Sequence, residues 1–251
     1  MRQPLPFFVQ LWDGLLIELT NWRWAWRSMV IVDTIAPLFS ILGLGVFARD
    51  LGVDALAYVL TGNMVMALMF GTMHKVQGHL IYMRLGGMLD YFSTLPIRKE
   101  ALILAIMLGF LILSLPALVV TGLVGAWLLG VQLSPNPALL LVIPACAIPL
   151  TGIGALIGVR ARTPQEAGSF SLLLSLLLLS VGPVVVPPER LLAYLLWLGR
   201  ISPATYAASA LRQTLLAPLT TQLAFDLAAL AAFALLTFWL VNAQLSWRQD
   251  A

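Results

Sequence analysis

An all-α polytopic membrane protein with six transmembrane helices is the fold that three observations predict. The apolar content is far too high for a soluble domain. Six apolar runs reach membrane-spanning length, and arginine and lysine crowd the loops on one side. Of 251 residues, 61% are hydrophobic and only 10% are charged, with a mean hydropathy of +0.96, so lipid is the solvent this chain requires. At about 20 apolar residues per span, the length holds six helices and short loops as a single transmembrane domain, 1–251, with little left for a soluble one.

The first stretch, 4–27, is read as an interfacial amphipathic helix. Phe7, Phe8, Leu11, Trp12, Leu15, Leu16 and Leu19 fall on one helical stripe, and Gln10, Asp13 and Glu18 fall off it. Trp12, Trp22, Trp24 and Trp26 are candidate interfacial anchors, because an indole keeps its ring in the acyl boundary and its N–H in the headgroup layer. Arg23 and Arg27 interleave with them. A cleavable signal peptide is not expected, since Asp13, Glu18, Arg23 and Arg27 interrupt the region where its apolar stretch would lie.

The six spans are expected at 28–48, 55–73, 101–129, 139–159, 168–187 and 222–243. Pro116 in the long third run predicts a kink there or an extension beyond the membrane. With the amino end inside, Arg2, Arg23, Arg27, Lys75, Arg84, Arg98, Lys99, Arg160, Arg162 and Arg248 all fall on the cytoplasmic side. Arg49, Arg190, Arg200 and Arg212 fall outside. That asymmetry orients the chain with both termini cytoplasmic. It also gives the net charge of +3 a use that needs no nucleic-acid partner. A five-span alternative would strand the carboxy end outside.

Two segments between spans carry further information. His74 to Glu100 is the longest polar stretch. Within it, 84–96, Gly86-Gly87 permits a sharp turn, Met88 to Leu95 is long enough for two helical turns, and Pro96 ends them. Such a short helix, presenting apolar and acidic side chains to the cytoplasm, suits docking in a partner's groove, with an ordinary loop as the plain alternative. The stretch 188–219 holds two apolar pieces too short to span, broken at Gly199 to Pro203. They read as a re-entrant helical pair packed against the bundle, since non-helical backbone at membrane depth must be buried in protein or face water.

Chemistry is sparse. The one cysteine, Cys146, allows no internal disulfide. His74 and His79 lie five apart without the intervening glutamate of a zinc-protease motif, and read as interfacial residues at the end of the second span. No metal site and no catalytic residue is expected. The two lysines, Lys75 and Lys99, follow no glycine-rich phosphate loop, so any ATP must bind another chain. Asp33 and Asp226 lie about five residues inside their spans, close enough to an interface to hydrate or to find an arginine, so structural roles fit them. Gly154 and Gly158 form a small-xxx-small pair suited to close helix packing.

On these residues the chain resembles the permease subunits of type-2 ATP-binding-cassette exporters. Arg84, Gly87, Leu89 and Pro96 resemble that family's arginine, glycine, leucine and later proline before basic residues, with Met88 where many members carry threonine. Ser202-Pro203, Tyr206 and Ala210-Leu211-Arg212 resemble its pattern ahead of the last span. The resemblance implies that Arg84, Gly87, Met88, Leu89, Asp90, Leu95 and Pro96 couple to an ATPase. It implies that Ser202, Pro203, Tyr206 and Arg212 belong to an outer gate. It further implies ATP and Mg on partner ATPase subunits, a second permease subunit, and a bacterial-type inner membrane. The cargo expected for spans so poor in polar groups is amphipathic or lipid-linked: a drug, lipid or glycan. Competing readings are an ion-coupled secondary transporter or channel using Asp33 or Asp226, an intramembrane enzyme using His74 or His79, and a scaffold without transport.

Overall fold

A computed structural model describes residues 6–216 and 218–245. Arg2, Pro4 and Arg248, and position 217 of the 188–219 stretch, lie outside the described residues. Every regular element among the described residues is helical.

Helix α1 (Phe7–Asn21) lies along the first half of α6 (Lys99–Leu129). Its outward stripe is Phe8, Trp12 and Leu16, as expected of a lipid-facing surface. The other face corrects the sequence reading. Gln10 and Glu18, expected on the wet side, are buried with Leu15 against the bundle. They turn inward because each finds a partner there: Gln10 Oε1 accepts the Arg98 backbone N–H at 2.8 Å, and Glu18 meets His79. A buried polar group is tolerable once it is paired.

After a turn at 22–25, α2 (Trp26–Arg49) runs beside α3 (Val53–Leu68) and α6. A π-helical turn, Met69–Met73, joins α3 to α4 (His74–Leu85). Together they make one apolar helix, Val53–Leu85, about 50 Å long at 1.5 Å per residue. The second span does not give way to a cytoplasmic segment at Met73. His74, Lys75 and His79 continue the helix because their polar ends are met by neighbouring helices, and because no proline or paired glycine occurs until Gly86-Gly87.

The short helix α5 (Met88–Ser93) follows, ending two residues earlier than its apolar pattern suggests. The Ser93 and Thr94 hydroxyls donate to the Asp90 and Tyr91 carbonyls. Leu95, which precedes proline, is disfavoured in the α conformation. Helix α6 is unbroken through Pro116 for 31 residues, about 46 Å, and so outruns the ~30 Å hydrocarbon core.

Helix α7 (Leu139–Arg160) packs on α4, the π turn and α11 (Thr221–Gln244). Gly154 and Gly158 make the first contact possible. A Cβ at Gly154 would overlap the Met73 carbonyl, and one at Gly158 would stand 2.7 Å from the Gln77 carbonyl oxygen. Helix α8 (Pro164–Ser180) opens with a side-chain cap on Thr163. Thr163 Oγ1 accepts from the Glu166 N–H at 3.1 Å, and Glu166 Oε2 accepts from the Arg162 N–H at 2.8 Å.

The fifth expected span, 168–187, is thus displaced. The helix begins earlier and stops at Ser180, where Gly182 (φ +92°), Pro183, Pro187 and Pro188 prevent its continuation. Its 17 residues cover about 26 Å. The irregular backbone beyond it packs against α3 at Gly62, with Val184 fully buried, so the bundle shields it from lipid. Helices α9 (Ala193–Gly199) and α10 (Pro203–Leu215) come next. Helix α10 is embedded among α3, α7 and α11, with Ala204, Ala207, Ala208, Ala210 and Leu211 fully enclosed. Among the described residues five helices are long and apolar enough to cross a membrane: Trp26–Arg49, Val53–Leu85, Lys99–Leu129, Leu139–Arg160 and Thr221–Gln244. The protein is therefore a polytopic all-α membrane protein.

Candidate functional site

Two clusters of candidate residues lie at opposite ends of the helix Val53–Leu85. At the α4 end the chain reverses at Gly86-Gly87. Gly87 adopts φ +71°, a left-handed conformation that costs a glycine nothing. Leu89 alone of α5 is buried, at 3% exposure, against Val76, Leu80, Met83 and Leu102. Around it the surface is open. Tyr82, Leu85, Met88 and Tyr91 are exposed, Tyr91 at 64%, and Asp90 and Pro96 are exposed beside them. Leu95 is half-buried. The result is a small aromatic and apolar face with one carboxylate, pinned by a single leucine.

Arg84 is not part of that open face. Its guanidinium donates to the backbone carbonyls of Val159 and Ala161, which stand unpaired at the end of α7. Lys99 Nζ donates to the Asn242 carbonyl of α11 at 2.8 Å, and Arg98 is tied to α1 through Gln10. The 84–99 segment is thus strapped to α1, α7 and α11.

Above it, polar side chains climb α4. His79 Nε2 stands 3.1 Å from Glu18 Oε1, and its ring packs on Phe110 and Trp22. Lys75 Nζ lies 2.6 Å from Asp33 Oδ2, with Asp33 almost wholly buried. His74 Nε2 is 3.0 Å from Ser175 Oγ of α8. Ser175 donates to the Ser171 carbonyl, so the imidazole N–H is the donor between His74 and Ser175. Between these groups and the α1–α2 turn is a cavity of about 530 Å³ lined by Trp22, Met29, Lys75, His79, Met88 and Phe110. Of the four candidate anchors, Trp12, Trp24 and Trp26 are exposed, while Trp22 is packed inside against Phe110.

At the other end, Ser202 is the buried residue before α10, and Pro203 opens the helix where a missing N–H is harmless. Tyr206 donates through its hydroxyl to the Arg200 carbonyl at 2.7 Å and stacks near Phe225 and Phe233. Arg212 lays its guanidinium 3.5 Å over the Tyr58 ring and donates to Thr61 Oγ1 at 3.2 Å. Asp226 accepts from Gln213 at 3.0 Å and from Gln222 at 2.9 Å, and Thr220 donates to Gln213 at 2.7 Å. The sequence pattern assigns no role to Tyr58, Thr61 or Gln213, and it places Glu18 on the wet face of α1 and Lys75 among the cytoplasmic basic residues. The available signal was a polar side chain inside an apolar run, which marks a partner without naming it.

Among the described residues no group of three or more His, Cys, Asp or Glu side chains is placed to hold a metal ion. Residues 15–216 match the family described as ABC-2 type transporter. No curated protein matches the chain.

Proposed function

The chain belongs to the ABC-2 type transporter family, and from that premise we propose that it is the membrane-spanning permease subunit of an ATP-driven exporter, powered by a separate ATPase. The observation that carries this reading is the α5 face: Tyr82, Leu85, Met88 and Tyr91 exposed around the anchor Leu89, on a chain with no phosphate-binding loop of its own.

In this reading α8 and its buried extension count as a sixth crossing, both termini are cytoplasmic, and α9 with α10 forms the re-entrant pair. Two such subunits, identical or related, enclose the path in a bacterial-type inner membrane. The ATPases, carrying ATP and Mg, push on α5. The straps through Arg84, Lys99 and Gln10 pass that displacement to α7, α11 and α1 rather than letting the short helix tilt alone. The outer hairpin of α10 and α11, tethered by Arg212 to α3, is the gate that answers. Such coupling requires two discrete packings whose balance the ATPases shift.

The cargo is amphipathic or lipid-linked, in keeping with spans so poor in polar residues. Ion-coupled transport is not supported, because Asp33 and Asp226 already hold internal partners. The test is purification in mild detergent. An ATPase that co-purifies with the parent and is lost on Met88→Asp with Tyr91→Asp supports the assignment. A parent chain that purifies alone from its native membrane contradicts it.

A further inference from the structure

The elbow between α7 and α8 has features that coupling does not require. A groove of about 380 Å³ runs between the two helices, walled by Ile157, Phe170, Leu173 and Leu177 and ending at Arg160 and Glu166. From Glu166 to Leu177 it follows α8 for about 16 Å, roughly one leaflet's share of the ~30 Å hydrocarbon core. Charge lies at one end only. Arg160 and Arg162 are exposed there, and neither guanidinium has a hydrogen-bond or ion-pair partner among the described residues. Arg84 adds a third guanidinium, donating to the Val159 and Ala161 carbonyls. Against these stands Glu166, one of whose carboxylate oxygens is held by the Arg162 backbone N–H.

An apolar slot with an excess of positive charge at a single end matches one class of molecule, an amphiphile with an anionic head and a hydrocarbon tail. A second copy of this chain fits it poorly, because covering the groove with an apolar helix would bury Arg160 and Arg162 against the single carboxylate of Glu166, leaving an excess of buried positive charge. We propose that this elbow binds an anionic phospholipid, its acyl chain in the groove and its phosphate on Arg160 and Arg162. Guanidinium is the better phosphate ligand of the two basic side chains, because it presents paired donors in a plane. The site adjoins the coupling segment: Arg84, which holds the elbow's carbonyls, precedes the Gly86-Gly87 reversal by two residues. Bound lipid therefore firms the strap between α7 and α5. The site does not depend on the exporter assignment, since it needs only a membrane interface at the elbow.

The test is native mass spectrometry of the full chain, released from micelles holding equal phosphatidylglycerol and phosphatidylethanolamine. Phosphatidylglycerol adducts should dominate on the parent and fall about fivefold for each arginine removed in Arg160→Gln and Arg162→Gln. Leu177→Trp, which fills the groove and leaves the charges, should reduce them as well. Melting temperatures of the lipid-stripped variants equal to the parent's would assign the losses to binding and not to folding. Adducts unchanged by both kinds of variant would overturn the site. So would Leu173→Cys cross-linking to its counterpart in a second subunit, which would put protein in the groove.

Discussion

The two ends of the helix Val53–Leu85 are both polar, yet they are wired differently. At the α4 end the links join residues far apart in the chain: Glu18 with His79, Asp33 with Lys75, Arg84 with Val159, Lys99 with Asn242. At the α3 end most links are local, Asp226 with Gln222 and Gln213, Gln213 with Thr220. Ties from there to the distant chain run from Arg212 to Thr61 and Tyr58, from Cys146 to the Ala207 carbonyl, and from Ser134 and Asn136 to the Leu215 and Thr214 carbonyls. Long-range ties make several helices one block. Local ties make the α10–α11 hairpin a unit held to its neighbours chiefly by apolar packing. The contrast suits a machine driven at one end and gated at the other.

Removing a block tie should produce the largest loss. Lys75→Leu leaves Asp33 buried and unpaired and should cost about 3–5 kcal/mol, read as a drop in melting temperature in detergent. Lys75→Met with Asp33→Asn should recover most of it, because the unmatched charge, and not the missing pair, carries the penalty. A smaller loss of about 1–3 kcal/mol is expected for Gly154→Ala, whose methyl meets the Met73 backbone. It should also weaken stimulation of the partner ATPase by cargo, measured in reconstituted vesicles.

Arg84→Gln, which withdraws a charged donor from the α7 terminus, should cost about 1.5–3 kcal/mol at most. The smallest effect belongs to the hairpin. Arg212→Lys surrenders the planar stack on Tyr58 for about 0.5–2 kcal/mol and should leave ATPase binding intact. Combined with Gly154→Ala its cost should add within about 0.5 kcal/mol. Strong non-additivity would mean that the two ends belong to one packed unit, and the contrast drawn above would fail.

How much of this was legible follows the range of the interactions. Local signals worked: the Gly86-Gly87 reversal, the break between α9 and α10 at Gly199 to Pro203, and the small pair Gly154 and Gly158 are each set by a few neighbouring residues. Readings that depended on a distant partner went astray. Lys75 and His79 looked like the exit from a membrane because their carboxylates lie 42 and 61 residues away. Gln10 and Glu18 looked like the wet face of α1 for the same reason. The early stop of α8 was signalled by Gly182 and Pro183, but the unbroken apolarity of 181–187 outweighed them in a pattern that counts hydropathy and not backbone.

The most direct measurement places residue 91. Tyr91→Cys, in a Cys146→Ser background, should cross-link to a co-purifying ATPase and resist an impermeant maleimide added to intact cells. Labelling of that cysteine from outside the cell would contradict the claim that work enters this permease through α5.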